Sequence, residues 1–145
     1  MLPFHDSDRA LASNRLEAGL QNVLVVDDDE SVRELMAMVL EAEGYTVFRA
    51  RHSREALYLH EEFPGTFHVL LTDISMNPHA DGFTLARALR RERPDIRVIY
   101  ASGCVDHDEL QAELEANPSS FLAKPFTPAS LLACVRNSLT AYVQA

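Results

Sequence analysis

Asp27, Asp28 and Asp73 are carboxylates, Ser102 is a hydroxyl and Lys124 is an ammonium. Each of the four segments that carry them follows directly on a short apolar run. If those runs lie side by side, the five groups meet. Crowded carboxylates repel one another, and a hard divalent cation relieves the repulsion. Mg2+ suits such a set because it prefers oxygen ligands and keeps several waters, with Mn2+ as an alternative occupant. An aspartate held there can act as a nucleophile toward phosphorus. The cation would neutralise charge on a transferring phosphoryl group. Lys124 would pair with a phosphoryl oxygen as a mobile point charge, and Ser102 would donate a hydrogen bond to another.

The chain must supply elements that bring these residues together. Val23–Val26 is a continuous apolar run, as expected of a strand buried on both faces. Behind it come Val32, Leu35, Met36, Val39 and Leu40 at helical spacing, closed by Gly44. Tyr45–Arg49 is a second strand, and a helix capped by Ser53 runs to about Phe63. His68–Thr72 is a third strand, ending at Asp73. Phe83, Ala86, Leu89 and Arg90 mark a helix stopped by Pro94. Arg97–Ala101 is a fourth strand, closed by Ser102 and Gly103. Asp106 and Glu109 form a capping box for a helix through Ala116. Ser120–Ala123 is the fifth strand, and Thr127 with Pro128 starts the last helix. A strand followed by a helix, five times over, predicts an α/β fold with a parallel sheet covered on both faces. By analogy with similar open sheets, the expected order is 2-1-3-4-5, a doubly wound, flavodoxin-like (βα)5 arrangement. Ligands in such sheets bind beyond the strand C-termini, at the switch in strand order, where Asp27, Asp28 and Asp73 leave their strands.

Composition excludes other classes. With 13 Lys+Arg and 22 Asp+Glu the formal net charge is −9, against direct nucleic-acid binding, which needs clustered cations. No run approaches the roughly 18 apolar residues of a membrane span, so no membrane insertion is expected. The N-terminus has no signal-peptide pattern. Cys104 and Cys134 make no metal or redox motif, and reduced thiols of a cytoplasmic protein are the expectation. The six histidines share no zinc-ligand spacing. Residues 1–20 form an N-terminal extension, a weak helix around Asp8–Leu20 or disorder, and residues 21–145 form one domain.

Five segments, each at a strand end, resemble the receiver domain of bacterial two-component response regulators. They are Val25-Val26-Asp27-Asp28-Asp29-Glu30, Leu70-Leu71-Thr72-Asp73-Ile74, Asp81-Gly82-Phe83, Val98-Ile99-Tyr100-Ala101-Ser102-Gly103 and Phe121-Leu122-Ala123-Lys124-Pro125-Phe126. The resemblance covers about residues 22–143 and suggests a single-domain, CheY-like protein. It implies that Asp73 is the phosphoacceptor and also one of the Mg2+ ligands, with Asp27, Asp28 and Ser75. Asp28 would be the more direct Mg2+ ligand, with Asp27 acting largely through water and the backbone carbonyl of Ser75 as a further ligand. Ser102 would be the switch hydroxyl, Lys124 the phosphoryl-binding lysine, Phe121 the switch aromatic, and Lys124-Pro125 a cis peptide. It also implies a histidine kinase or histidine phosphotransfer protein as donor. A downstream protein, or a second copy in a homodimer, would be the target.

Three features depart from the family pattern. The loop 74–82 holds one extra residue. Phe121 stands where a tyrosine is frequent and offers packing only. The 145 residues leave no room for an output domain, as in a single-domain regulator or a piece of a longer protein. A phosphatase of the haloacid-dehalogenase type would need a second acid where Ser75 stands. An FMN carrier would need a phosphate-cradling loop where Asp27, Asp28 and Asp29 repel phosphate. The remaining alternative is a pseudo-receiver, a protein-interaction module that does not turn over phosphate.

Overall fold

The computed structural model describes residues 21–75, 81–103, 108–117 and 119–143, with 141–143 by backbone only. In chain order the elements are β1 (Asn22–Val26), α1 (Glu30–Ala42), β2 (Thr46–Ala50), α2 (Ser53–Glu62) and β3 (Val69–Asp73). They continue with α3 (Gly82–Glu92), β4 (Arg97–Ser102), α4 (Asp108–Ala116), β5 (Ser119–Ala123) and α5 (Pro128–Val143). The strands form one parallel sheet in the order β2-β1-β3-β4-β5. The fold is the doubly wound, flavodoxin-like one expected.

Alternation along each strand divides the core into two layers. Leu24, Val26, Leu70, Val98 and Tyr100 face one side, where Phe67, Phe83, Leu89 and Leu110 pack on them from α3, α4 and a loop. Val23, Val25, Val69, Leu71, Ile99 and Ala101 face the other, against Met36 and Leu40 of α1 and Leu131 and Val135 of α5. Both faces of the central strands are thus apolar, which is why their sequences read as unbroken hydrophobic runs.

The register brings the strand ends level. Val26 lies opposite Thr72, Asp73 opposite Ala101, and Ser102 opposite Ala123. Asp27 and Lys124 are each the next residue along. The loop that begins at Asp73 is held to the sheet, since Ile74 N donates to Ala101 O (3.2 Å) and Gly82 N to Ile74 O (2.8 Å).

The helices show where local signals win or fail. Asp29 caps α1, its carboxylate accepting from Val32 N at 3.2 Å. Gly44 follows α1 with φ 102°, the left-handed geometry that glycine adopts without a Cβ clash. The last helix starts as expected, with Thr127 Oγ1 accepting from Ser130 N at 3.0 Å. Two readings need correction. Ser53 is not the cap of α2. His52 takes that place, its Nδ1 accepting from Glu55 N at 3.1 Å, while Ser53 turns inward as the first helical residue and is buried. On α1 the buried stripe is Arg33, Met36, Ala37 and Leu40, whereas Leu35 is 47% exposed. The inward face is rotated because Arg33, a charged residue within it, makes a specific contact described below. β2 and β3 each start and end one residue later than expected. The expected Asp106 box, Cys104 and the helix around Asp8–Leu20 lie outside the described residues.

The rotation of α1 is testable by denaturant unfolding. Met36→Ala should destabilise the protein by about 2–5 kcal/mol, as for other buried large-to-small changes. Leu35→Ala should stay within about 0.5 kcal/mol of wild type.

Candidate functional site

The acidic cluster forms at the C-terminal edge of the sheet, in the crevice between β1 and β3. Carboxylate oxygens of Asp27, Asp28 and Asp73 lie within 4.8 Å of one another. Lys124 reaches back from the end of β5, placing Nζ 2.7 Å from Asp27 Oδ2 and 3.5 Å from Asp73 Oδ1. Residues separated by up to 97 positions therefore share one site.

The three acids differ in environment. Asp27 is buried and engaged at both oxygens, since Oδ1 also accepts from Asp29 N at 2.9 Å. Asp28 stands on the exposed rim. Asp73 is half-buried at the centre, and its pKa is pushed up to about 6. Burial is the main cause; Lys124 opposes it, while the charges of Asp27 and Asp28 add to it. Burial also disfavours the Lys124 ammonium, but its hydrogen bond to Asp27 and the charges of Asp27 and Asp73 outweigh that, and its pKa is raised. With all groups ionised the cluster carries three negative charges and one positive, a net −2 that a divalent cation matches. The donor set is all oxygen, as Mg2+ requires.

Three supporting residues were given no role from sequence, although Thr72 and Gly82 stand in segments that carry the family resemblance. Arg33 is buried and donates from Nη1 to the Asp27 carbonyl at 3.1 Å, fixing the backbone where the acidic pair turns off β1. Its signal was an arginine at a helical position in step with Met36 and Leu40. Thr72 is fully buried and donates from Oγ1 to the Asp73 carbonyl at 2.9 Å. Gly82 lies against that same carbonyl, where a Cβ would come within 2.4 Å of Asp73 O. Only a residue without a side chain allows α3 to start this close to β3.

The other expected site residues occupy the surrounding rim. Ser102 ends β4, and its carbonyl accepts from Lys124 N at 2.9 Å. The Lys124-Pro125 peptide is cis. Ser75 is exposed, two residues beyond Asp73, and residues 76–80 of the long loop lie outside the described residues. Phe121 is half-buried on β5, in register with Tyr100 and packed on the core. Next to it, Pro125 and Cys134 help line a groove of about 600 Å3 between β5 and α5.

The sequence profile of the response regulator receiver domain matches residues 23–136. The chain belongs to this family. Receiver domains of the family are phosphorylated on an aspartate, bind Mg2+ at an acidic pocket and act as switches in two-component systems. Among relatives of this receiver, the sensor kinase CckA of Brucella abortus is 37% identical over 84% of the chain, which spans 13% of that protein. The response regulator SaeR of Staphylococcus aureus is 28% identical over 83% of the chain, which spans 51% of it. Among solved structures, the chemotaxis response regulator CheY4 of Vibrio cholerae superposes with a TM-score of 0.73 at 27% identity, over 82% of this chain and 98% of that one. The receiver domain of the hybrid histidine kinase CckA gives 0.68 at 33% identity, over 81% and 98%. The receiver thus spans about half or less of these curated relatives and nearly all of these solved domains.

The raised Asp73 pKa has a defined consequence for stability. The native state holds the Asp73 proton more tightly than the unfolded chain, whose value is near 3.8. The resulting stabilisation is complete below about pH 4 and is lost as pH rises through 6. Asp73→Asn removes this dependence. Without divalent cations at pH 7 it should be more stable than wild type by about 1–2 kcal/mol, allowing for solvent screening. Paired melts at pH 4 and pH 7 would check this. Gly82→Ala should cost about 1–3 kcal/mol, because backbone at Asp73 must shift to admit the methyl group.

Proposed function

We propose that this receiver accepts a phosphoryl group on Asp73 from a histidine kinase or a histidine phosphotransfer protein, with Mg2+ or Mn2+ bound at the acidic cluster. The observation that carries the reading is the single crevice holding Asp27, Asp28, Asp73 and Lys124. An Asp73 carboxylate oxygen forms a bond to phosphorus as the bond from phosphorus to the donor imidazole nitrogen breaks. The imidazole leaves with that electron pair. A bound Mg2+ would neutralise charge on the phosphoryl oxygens. Asp28, exposed at the rim, and Asp73 are the direct carboxylate ligands. Asp27, already committed to Lys124 and to Asp29 N, acts through water, and the Ser75 carbonyl completes the protein ligands. When the phosphoryl group arrives, Lys124 exchanges its contact with Asp73 for a phosphoryl oxygen, and the Ser102 hydroxyl donates to another.

The product charge shifts the equilibrium between two surface arrangements. Phe121 reports it by packing alone, on the face formed by α4, β5 and α5. The groove beside Phe121 supports that face as the place where a downstream protein or a second copy binds. A donor of phosphohistidine is cytoplasmic, and we assign the receiver there too. Among the described residues no helix is long and apolar enough to cross a membrane.

Intact-mass measurement after incubation with Mg2+ and acetyl phosphate tests the reading. Wild type should gain one phosphoryl group. Asp73→Asn and a chelator should each abolish the gain, and Lys124→Ala should slow it by about 10²-fold. Absence of an adduct, together with no response to beryllofluoride, would establish a pseudo-receiver instead.

A further inference from the structure

A second charged cluster lies outside the phosphorylation crevice, between α3, α4 and β4. Glu113 of α4 is only 8% exposed, yet it is an acid in a helix of nine residues. Four donors, from α3, from β4 and from the residue after α4, converge on its carboxylate. Arg87 Nη2 lies 3.2 Å from Oε1, and Arg90 Nη1 lies 3.4 Å from Oε2. The Tyr100 hydroxyl donates to Oε2 at 3.4 Å, and Asn117 Nδ2 donates to it at 3.2 Å. Arg87 also reaches Glu109 at 3.3 Å, one turn earlier on α4. The spacing fits two helix faces, with Arg87 and Arg90 three apart and Glu109 and Glu113 four apart.

Little else anchors α4. Leu110 is its one fully buried apolar side chain, and Leu114 is half-buried. Elements with few buried apolar contacts are the ones that move at low free-energy cost. Polar contacts therefore largely determine where α4 sits. Tyr100 connects them to the switch. It is fully buried, stacks obliquely on Phe83 with ring centroids 4.9 Å apart, and lies opposite Phe121 in the sheet. It also precedes Ser102 by two residues on β4, on the same face of the strand.

We propose that Glu113 is a latch. Held by Arg87, Arg90 and Tyr100, it keeps α4 in its unphosphorylated position and so sets how readily the crevice accepts a phosphoryl group. The inference rests on the receiver function proposed above. Linkage gives it a sign. If accepting the phosphoryl group requires α4 to move, contacts that hold α4 reduce the competent fraction, and apparent affinity falls in proportion. Loosening the latch must then tighten binding of a phosphoryl mimic at a crevice whose own residues are unchanged.

The test compares wild type, Arg87→Met and Glu113→Gln for binding of beryllofluoride with Mg2+, by 19F NMR or calorimetry. Mg2+ binding alone and thermal melting are measured beside it. Both variants should bind beryllofluoride about fivefold or more tightly, with unchanged Mg2+ affinity. Arg87 is half-exposed, so its variant carries the test even if Glu113→Gln fails to fold. Variants that melt lower but bind beryllofluoride with wild-type or weaker affinity would show a structural staple and overturn the latch alone. Wild type that binds no beryllofluoride would overturn the receiver function and the latch with it.

Discussion

Three carboxylates within 4.8 Å of one another repel, and the folded state offsets part of that repulsion. Lys124 supplies that offset, 2.7 Å from Asp27 and 3.5 Å from Asp73. Every other feature of the site follows from maintaining that incomplete balance. One ammonium cannot neutralise three acids, and the residual charge is one that a divalent cation would offset. Asp73, the most centrally placed acid, has its pKa raised to about 6, by burial first and then by the charges of Asp27 and Asp28 against the opposing Lys124. Local instability of this kind is common where a protein is built to bind something absent from its folded core.

The scaffold resists this repulsion by fixing backbone. Asp27 is held through its carbonyl by Arg33 and through its carboxylate by the Asp29 amide. The Asp73 carbonyl is held by Thr72 and crowded by Gly82. The Asp73 carboxylate itself is engaged by Lys124, whose Nζ lies 3.5 Å from Oδ1. Asp73 is thus fixed largely through its main chain, which suits the phosphoacceptor role proposed for its side chain. That division explains why the crevice sits at strand ends. A strand end is rigid through the sheet on one side and open on the other.

The fold and the principal acids were legible because they depend on strong, one-dimensional signals. Runs such as Val23–Val26 encode burial on two faces, and Asp27, Asp73 and Lys124 each stand directly after such a run. What escaped notice depends on three-dimensional context. Arg33 looked like the polar side of an amphipathic helix, since Leu35 was the better inward candidate by spacing. Its burial becomes intelligible only once the Asp27 carbonyl is seen to need a donor. The cap of α2 went to His52 because an imidazole nitrogen can accept from an amide as a serine oxygen does, and Ser53 was drawn into the packed first turn. Glu113 was invisible for a similar reason. A glutamate in a short, acidic helix reads as a solvated face until Arg87, Arg90 and Tyr100 are found around it.

The two charged clusters are built on opposite principles. At the crevice, acids outnumber the single lysine, so the site remains unbalanced. Around Glu113, two guanidinium groups and two neutral donors surround one carboxylate, and its charge is fully compensated. Replacing such a cluster by apolar residues of similar volume would often cost a protein little stability. Its geometry, by contrast, is exacting, because the donors must arrive from different elements. A buried polar cluster therefore specifies one placement of α4 among several that an apolar anchor such as Leu110 alone would tolerate. For a receiver that switches as proposed, such specification favours one arrangement over the other, and β4 borders both clusters. Tyr100 belongs to the satisfied cluster and Ser102 to the rim of the unsatisfied one. A charge added at Asp73 and a hydrogen bond broken at Glu113 would thus act on one strand at positions two residues apart.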